Sequence, residues 1–558
     1  MSKIIWDNSV AINHSGGSNL ALDILKKRGL GGDAANEFIS PSYDGLTDPF
    51  VIPGMKPAVD RIFKAIQGNE KIVIYGDYDI DGLSSCALMK NAFEMMGHDV
   101  ELYIPDRFEE GYGLNSKAIE KLKKMGFDLV ITVDCGTTAH EQLKKSKKLG
   151  LDIIITDHHE PDGKAPKEAV ACVNPKLEAN NVLVDLAGVG VAFYLIRALQ
   201  KKYNLIEKGQ EKWLLDLVAL GTICDVVPLV GDNRILATYG LKVLKKTKRK
   251  GLISLAIKSG IDLGNITESD LGFKIGPRLN AAGRLAHAQK ALDVLNSETD
   301  IEAEQLSQVL NDLNIKRQDD TRVIYEEANK QARKHKSEPI LVLNSPEWSH
   351  GVVGIVASRI SEKWHKPVIL LQELSDYAKG SARSYGSFSI INAIRACSEI
   401  LETFGGHTFA AGLKLKNDRI DEFRYRINEY AIANMEATNN FKRVGISVDL
   451  DTLGPDLDLY DNVAQLAPFG NGNKKPYMQG CYEVSEVRLV GSDASHLRLK
   501  LRSSDESMHV AIGFGKAEDF GNLEVGQLID IAFELSENIW QERRTHQLEI
   551  IDIKLKNK

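Results

Sequence analysis

Five short apolar runs between residues 71 and 174 constrain the fold of this chain more than any other feature. The runs are KIVIY (71–75), DVELYIP (99–105), DLVITV (128–133), LDIIIT (151–156) and AVACVN (169–174), with helix-like stretches between them. Continuous runs rich in Val and Ile are typical of strands that are buried on both faces of a parallel sheet. The sequence therefore predicts an α/β domain built on a parallel sheet.

Polar residues follow each of these runs: Asp77, Asp79, Asp81, Asp106, Arg107, Asp134, Asp157, His158, His159 and Asn174. Turns favour Asp and Asn, so any one of these residues is equally well explained as a turn residue. The carboxyl ends of parallel strands, however, lie at one edge of an open sheet, where ligands bind. Five polar strand ends in succession therefore predict a functional site at that edge.

The residue types at this edge indicate a metal site. Closely spaced carboxylates repel one another unless a positive charge lies between them. Carboxylate oxygens and imidazole nitrogens suit Mn²⁺ and Mg²⁺, while the six scattered Cys residues argue against a zinc site and against a disulfide framework. Because the candidates outnumber the ligands of one ion, we expect two ions about 4 Å apart. The candidates are Asp77, Asp79, Asp81, Asp134, His158, His159 and Asp225.

The rest of the chain indicates further units, since 558 residues exceed what a single core supports. A helical pattern covers about residues 176–285 and includes IGPRLNAAGRL (275–285), interpreted as a Gly/Pro turn that carries Arg278, Asn280 and Arg284. A long helix is predicted from about 287 to 336, and a second α/β unit after it. From about residue 441, period-two alternation predicts a small antiparallel barrel or sandwich.

Two glycine-containing motifs in the second α/β unit suggest an anion site. KGSARS places Ser381 and Arg383 beside a glycine, and FGGHTFAAG places His407 directly after Gly406. Glycine lets backbone amides approach an anion, and Arg holds phosphate through paired hydrogen bonds. Each motif alone is equally consistent with an ordinary turn. Together with an acidic metal site, they predict a clamp that faces that site across a cleft.

The motifs GDYDIDG, VDCGTT, TDHHEP and GTICDVVPL, in this order, resemble those of the DHH phosphoesterase superfamily. IPDRFEEGYGL, IGPRLNAAGR, SHGVVGIVASRI, GSARS, GGHTFAAG and LAPFGNGNKKP are similar to motifs of the bacterial RecJ-type exonucleases, from about residue 45 to the C-terminus. The resemblance implies a parallel-sheet DHH domain, joined by a long helix to a smaller α/β DHHA1 domain and followed by an antiparallel OB-like β-barrel. The implied boundaries are 1–44 for an N-terminal segment, 45–285 for the DHH domain, 286–337 for the connecting helix, 338–435 for the DHHA1 domain and 436–558 for the OB fold.

The same resemblance implies a reaction and the residues that perform it. RecJ-type enzymes use Mn²⁺ or Mg²⁺ to degrade single-stranded DNA from its 5′ end into mononucleotides, in DNA repair and recombination. Metal ligands are implied at Asp79, Asp81, Asp134, His158 and Asp225, while Asp77 and His159 match positions beside the metals or at the scissile phosphate. Substrate contacts are implied at Arg107, Arg278, Asn280, Arg284, His350, Ser381, Arg383, Gly406 and His407.

Single-stranded DNA is the expected partner, with a helicase and a single-strand-binding protein as further candidates. We expect a monomer in the bacterial cytoplasm, at the nucleoid, and the singly scattered Cys residues agree with a reducing compartment. No uncharged segment is long enough to span a membrane. The net charge of −7 argues against a basic surface over the whole protein, but it is compatible with a local basic groove. The barrel could track a strand through its basic and aromatic residues Arg498, Lys500, Arg502, Phe514, Trp540, Arg543 and Arg544. The stronger alternative is that Phe514 belongs to the core and that the Arg residues form a solvated face.

Two other functions stay open at this point. A DHH phosphoesterase that acts on short oligonucleotides or other small phosphorylated substrates would have the same metal site, although it would not need the C-terminal barrel. A non-catalytic scaffold would have lost its metal ligands, whereas the acids and His158 are present here.

Overall fold

The computed structural model describes residues 4–14, 19–106, 110–111, 113–435, 442–450, 454–491, 493–540 and 543–556. Three sheets organise these residues: a five-stranded parallel sheet, a five-stranded mixed sheet and an eight-stranded sheet that contains a barrel. Each sheet has its own hydrophobic cores. Within the described ranges, no helix combines the length and the apolar character needed to cross a membrane.

The N-terminal part of the chain contains two short strands and two helices before the first sheet begins. These elements are β1 (Ile4–Asp7), β2 (Ile12–Asn13), α1 (Leu20–Lys27) and α2 (Asp33–Ile39). The first α/β unit then contains α3 (Met55–Gln67), β3 (Ile72–Gly76), α4 (Ile80–Met95), β4 (Val100–Tyr103), α5 (Ser116–Lys124), β5 (Leu129–Val133), α6 (His140–Leu149), β6 (Asp152–Thr156) and β7 (Ala171–Val173).

The first sheet confirms the predicted parallel arrangement. Its strand order is β4-β3-β5-β6-β7, and every neighbouring pair is parallel. Helices α3 and α4 pack on one face of the sheet, and α5 and α6 pack on the other. The Val and Ile side chains of the central strands are therefore buried on both sides, and the carboxyl ends of all five strands lie at one edge.

A helical region follows the first sheet, as predicted. Its helices are α7 (Gly188–Tyr203), α8 (Leu215–Cys224), α9 (Gly231–Leu244), α10 (Lys250–Lys258), α11 (Glu268–Asp270), α12 (Gly276–Leu285) and α13 (Gln289–Leu295). The predicted Gly/Pro turn at 275–285 is wrong, because these residues form α12, which continues from a π-helical turn at Leu271–Ile275. Pro277 lies in the first turn of α12, directly after the π-helical turn.

The predicted long helix is α14 (Asp300–Lys334), which packs against both α10 and α12 of the first unit and α15 (His350–Trp364) of the second. The polar stretch IKRQDDT does not interrupt it. Asn314, just before this stretch, and Thr321, at its end, are buried. Arg317 donates to Asn314 Oδ1, and Thr321 donates to the Arg317 carbonyl. The domain boundaries drawn above stay a prediction.

The second α/β unit has the strand order β11-β12-β10-β9-β8, with only β8 and β9 parallel. Its elements are β8 (Leu341–Ser345), α15, β9 (Val368–Glu373), β10 (Tyr377–Arg383), α16 (Ile390–Ala396), β11 (Thr403–Gly406), β12 (Ala410–Lys416) and α17 (Ile420–Asn434). The glycine motifs therefore lie mainly in strands, because Ser381 pairs with Gly412 and Gly405 pairs with the same glycine from the other side.

The C-terminal region contains β13 (Lys442–Asp449), α18 (Leu457–Ala464), β14 (Tyr477–Val490), β15 (His496–Arg502), β16 (Met508–Gly513), α19 (Ala517–Phe520), β17 (Leu528–Trp540) and β18 (Arg543–Leu555). Five of these strands close a barrel in the order β14-β15-β16-β18-β17-β14, which confirms the OB-like fold. All pairs in the barrel are antiparallel except β16 with β18.

The N-terminal elements pack on this barrel. Strand β1 runs parallel to β13, and Trp6 donates to Asp552 at 2.8 Å. Leu20, Ile24 and Leu25 of α1 lie in the same hydrophobic core as the barrel strands. Residues from opposite ends of the chain therefore share one core.

Candidate functional site

The seven predicted acids and imidazoles come together at the carboxyl edge of the first sheet. They form three overlapping groups whose ligand atoms lie within 4.8 Å of one another: Asp77, Asp79 and Asp134; Asp81, His158 and Asp225; and Asp134, His158 and His159. We call the seven residues the candidate metal centre. Because Asp134 and His158 each belong to two groups, the arrangement suits two neighbouring ions that share ligands.

Backbone groups hold the acids of this centre in place. Asp79 caps α4, and its Oδ1 accepts hydrogen bonds from the amides of Asp81 and Gly82. Asp81 accepts from the amides of Gly188 and Val189 at 2.6 and 2.8 Å, at the first turn of α7. Gly188 also has to be glycine, because a Cβ there would lie 2.5 Å from Asp134 Oδ1. Helix α7 can therefore approach two of the carboxylates closely.

The two imidazoles are oriented by the loop after β6. Asp157 Oδ1 accepts from the amides of His158 and His159 and from His159 Nδ1 at 2.8 Å, while its Oδ2 accepts from the Thr137 amide. Burial opposes ionisation of Asp157, but the hydrogen bond and the charge of His159 and the amides keep its pKa below the ordinary value. Asp157 therefore positions both imidazoles.

His158 faces the carboxylates through one ring nitrogen. Its Nδ1 lies 3.1 Å from the Leu186 carbonyl, so Nδ1 carries the proton and Nε2 carries a lone pair. Nε2 is 3.2 Å from Asp134 Oδ1, 3.7 Å from Asp225 Oδ2 and 3.9 Å from Asp81 Oδ2. Burial and the charge of His159 lower the pKa of His158 to about 4, so the ring is neutral at pH 7. A lone pair thus faces three carboxylates.

The pKa values of the acids point to the same need for positive charge. Burial, followed by the charges of neighbouring acids, raises the pKa of Asp81 and of Asp134 well above the ordinary value. Burial and the charge of Asp79 raise the pKa of Asp225 to about 7. Asp134 Oδ1 is buried and accepts no hydrogen bond from the described residues. Since Asp134 Oδ1 and His158 Nε2 are both acceptors, the residues present fit a bound divalent cation.

A second polar site lies in the second α/β unit, where a cavity of about 350 Å³ opens between α12, α15 and the strands β10 to β12. We call it the glycine-lined cavity. It is lined by Arg284, His350, Gly351, Gly354, Gly380, Ser381, Arg383, Gly405, Gly406, Ala410, Ala411 and Gly412. Arg383 donates to Ser381 Oγ at 2.9 Å, and Arg284 donates to the Gly351 carbonyl at 3.2 Å. Two guanidinium groups and a hydroxyl thus lie in a cavity in which six of the twelve lining residues are glycines.

Arg284 also lines a smaller cavity of about 160 Å³, together with Ile80, Asn280 and Arg317. Ile80 lies between Asp79 and Asp81 in the chain, and Cys224, which also lines this smaller cavity, precedes Asp225. The two cavities share the Arg284 side chain, and the smaller one is lined by chain neighbours of the metal-centre residues.

The structure separates some of the predicted substrate contacts from these cavities. Arg278 donates to Asn311 Oδ1 and to the Lys274 carbonyl, so its side chain contacts α14 and the π-helical turn before α12. His407 is exposed and does not line the glycine-lined cavity. Arg107 lies outside the described residues.

Sequence reasoning missed some residues of these sites. Gly351 and Gly354 of α15 and Gly412 of β12 form walls of the glycine-lined cavity, and the spacing of three residues in GVVG, which places both glycines on one helix face, was a usable signal. The Leu186 carbonyl that orients His158 had no signal, because a backbone group leaves none in the sequence.

Comparison with known proteins agrees with this geometry. Family models match the chain in three parts: the DHH family N-terminal domain at residues 71–222, the DHHA1 domain at 337–433 and the RecJ OB domain at 446–552. The single-stranded-DNA-specific exonuclease RecJ of Bacillus subtilis is 40% identical over 542 residues, which cover 96% of this chain and 67% of that protein. RecJ of Haemophilus influenzae is 32% identical over 570 residues, 98% of each chain.

A solved structure matches over the full length of this chain. The crystal structure of RecJ in complex with Mn²⁺ from Thermus thermophilus is similar with a TM-score of 0.83 at 28% identity, covering 100% of this chain and 80% of that one. The relatives that exceed 30% identity span most of this chain. This chain belongs to the RecJ family of single-stranded-DNA-specific exonucleases.

Proposed function

We propose that this chain uses two Mn²⁺ or Mg²⁺ ions to degrade single-stranded DNA from its 5′ end into mononucleotides, in DNA repair and recombination. The observation that carries the proposal is the pair of facing acceptors, His158 Nε2 and Asp134 Oδ1, 3.2 Å apart among further carboxylates. A divalent cation between or beside the two atoms would relieve the repulsion of such a pair. The 5′ polarity rests on the family alone.

In this mechanism the ions would be held by Asp79, Asp81, Asp134, His158 and Asp225. When bound, they supply Lewis acidity to the phosphate oxygens and lower the pKa of an attacking water. Asp157 fixes both imidazoles, and its hydrogen bond and charge raise the pKa of His159 although burial opposes this. The half-exposed His159 ring, held by Asp157 through Nδ1, would in this proposal lie beside the scissile phosphate.

The glycine-lined cavity would hold a phosphate of the strand near its 5′ end. Arg284 and Arg383 supply charge-assisted donors there, and the glycines leave room for the backbone of the strand. The smaller cavity, which shares Arg284, would place the next phosphates toward the metal centre. In this proposal, the passage between the two α/β units admits one strand and excludes a duplex.

The C-terminal barrel supports strand binding less strongly than its sequence suggested. Lys500, Arg502 and Arg544 form ion pairs with carboxylates of the same region, which reduces the charge they offer to a phosphate backbone. Phe514 is 61% exposed and is thus available to stack on a base. The Trp540 side chain lies outside the described part of the chain. We keep a helicase, a single-strand-binding protein, a monomeric state and a nucleoid location as proposals.

The test is time-resolved digestion of a long single strand labelled at the 5′ or the 3′ end. Immediate release of the 5′ label as mononucleotide in Mn²⁺, but neither in chelator nor with Asp134→Ala, is the expected result. A duplex of the same sequence should survive. Loss of the 3′ label first would contradict the polarity. Cleavage limited to short oligonucleotides would instead assign the chain to the small-substrate phosphoesterases.

A further inference from the structure

The residue that follows Asp225 has a strained backbone. Val226 adopts φ 61°, and its side chain is 64% exposed. A β-branched residue in the left-handed region is a genuine outlier, and such conformations persist only where the surroundings enforce them. Asp225 itself ends α8, and its carboxylate points into the metal centre. The backbone that carries this carboxylate therefore has to be held by something outside α8.

A loop of the C-terminal region contacts this strained backbone. The loop comprises residues 466–474, within the motif LAPFGNGNKKP that precedes β14, and we call it the 466–474 loop. Asn471 Nδ2 donates to the Val226 carbonyl at 3.1 Å, and the Leu229 amide donates to the Asn471 carbonyl at 2.7 Å. Gly470 permits the close approach, because a Cβ there would lie 2.8 Å from the Leu229 side chain. Asn471 thus binds the chain on both sides of residues 227 and 228.

The 466–474 loop is itself firmly held. The buried Asn473 donates to the carbonyls of Leu466 and Pro468 at 2.7 and 2.8 Å. Arg234 of α9 is 2% exposed and donates to the carbonyls of Leu466, Ala467 and Pro468. Because three successive carbonyls accept from one buried guanidinium, the loop has a fixed position relative to α9 and to the segment before it.

We propose that Asn471 is a positioning residue for Asp225, so that the C-terminal region sets the geometry of the metal centre. Asn471 touches neither substrate nor metal in this scheme. It holds the Val226 carbonyl, which stabilises the left-handed conformation at Val226 and so fixes where Asp225 projects. The inference rests on the proposed metal dependence, and it assigns a function to a motif that strand binding and catalysis leave unexplained.

The first test measures Mn²⁺ binding to the full-length protein by electron paramagnetic resonance of free Mn²⁺. Asn471→Ala and the isosteric Asn471→Asp both lose the donor and should bind one of the ions roughly fivefold more weakly, the effect of losing one ordinary hydrogen bond. Asn462→Ala is the matched control, because Asn462 Nδ2 donates only within α18. Its Mn²⁺ affinity should equal that of the wild type.

A double-substitution cycle tests the route through Val226. Glycine takes positive φ without strain, so in Val226→Gly the backbone at residue 226 should depend less on the hydrogen bond from Asn471. In that background, Asn471→Ala should change the Mn²⁺ affinity less than twofold. Additive effects would overturn the route through Val226. Equal affinity of wild type and Asn471→Ala would overturn the positioning role itself.

The two hypotheses fail differently. If the wild type bound no Mn²⁺, the proposed metal-dependent function would fail, whatever Asn471 does. Thermal unfolding in chelator separates positioning from folding: the Asn471 variants should unfold within about 2 °C of the wild type, because Asn471 is exposed and one surface contact is small. A large loss of stability in both Asn471 variants would mean that the loop is only structural.

Discussion

The metal centre and the glycine-lined cavity differ in how the fold holds their charged groups. In the metal centre, backbone amides fix the carboxylates, as Gly188 and Val189 do for Asp81, and three of the five acids are buried. In the cavity, the charges sit at the ends of two long Arg side chains, and the walls are mainly glycine. One site is rigid and anionic, whereas the other is adaptable and cationic.

This difference follows from what each site would do in the proposed reaction. Metal ligands must keep their geometry within fractions of an ångström, because the ions orient the reacting atoms. A strand that moves forward after each cut needs contacts that can break and form again, and Arg side chains on an open wall provide these. The comparison therefore predicts that substitutions in the metal centre lower the activity sharply, whereas substitutions in the cavity lower it to a smaller degree.

The largest effect is expected for His158→Ala, which removes an imidazole that belongs to two of the three groups of the candidate metal centre. The rate of hydrolysis should fall by roughly a thousandfold, since a misplaced ion no longer stabilises the transition state. Mn²⁺ binding should weaken in parallel. His140→Ala, which removes an imidazole paired with Asp162 on the exposed side of α6, is the control. Equal activity of the two variants would contradict the metal centre.

The metal centre should also make metal-free stability depend on pH. Because the pKa of Asp225 is raised to about 7, the folded state keeps a proton that the unfolded state releases from about pH 4. Without metal, stability attributable to this group therefore falls as pH rises from about 4 to 7, and the loss is complete above pH 7. In chelator at pH 8, the free energy of unfolding of Asp225→Asn should exceed that of the wild type by on the order of 2 to 4 kcal/mol.

Denaturant unfolding at pH 5 and pH 8 checks this expectation. The difference between Asp225→Asn and the wild type should shrink at pH 5 and should vanish or change sign in saturating Mn²⁺. A difference that does not vary with pH would show that the carboxylate is not destabilised as described.

In the glycine-lined cavity, Arg383→Ala should lower kcat/KM by roughly 10- to 100-fold, the range expected for a charged hydrogen bond. Mn²⁺ affinity should stay unchanged, which distinguishes this site from the metal centre. The loss should be larger for a 5′-phosphorylated strand than for a 5′-hydroxyl strand. Arg395→Ala, in which the lost side chain is exposed and bonded to Asn392, is the control. If Arg383→Ala lowered kcat/KM equally for both strands, this cavity would not be the site that binds the 5′ phosphate.

Much of the metal centre could be predicted from the sequence, because its signals are local. The Val- and Ile-rich runs before Asp77, Asp134 and Asp157 identify buried strands, and parallel pairing then brings their ends to one edge. The cavity was harder to predict. Glycines in KGSARS and FGGHTFAAG have no side chains to show whether they form turns or strands, and only the pairing of β10, β11 and β12 decides this.

Contacts between distant parts of the chain left no local pattern. Nothing near Trp6 indicates that β1 pairs with β13, more than 430 residues later. Asn471 is a similar case, because its partners Val226 and Leu229 lie in another unit of the chain. At 275–285, the Gly and Pro signals indicated a turn, but Pro277 falls in the first helical turn, where packing of α12 against α14 decides the conformation.

The smallest effect is expected for His407→Ala. The ring is exposed beside the cavity, while Gly406 lines it, and the His407 amide donates to the Ala410 carbonyl in either variant. The substitution should therefore change kcat/KM by less than about twofold, since surface substitutions away from built contacts have small effects. Steady-state digestion of a 5′-phosphorylated strand by His407→Ala and by Arg383→Ala measures kcat/KM for the two variants side by side. If His407→Ala lowered kcat/KM as much as Arg383→Ala does, the substrate-binding surface would have to extend beyond Gly406 and include the exposed turn that carries His407.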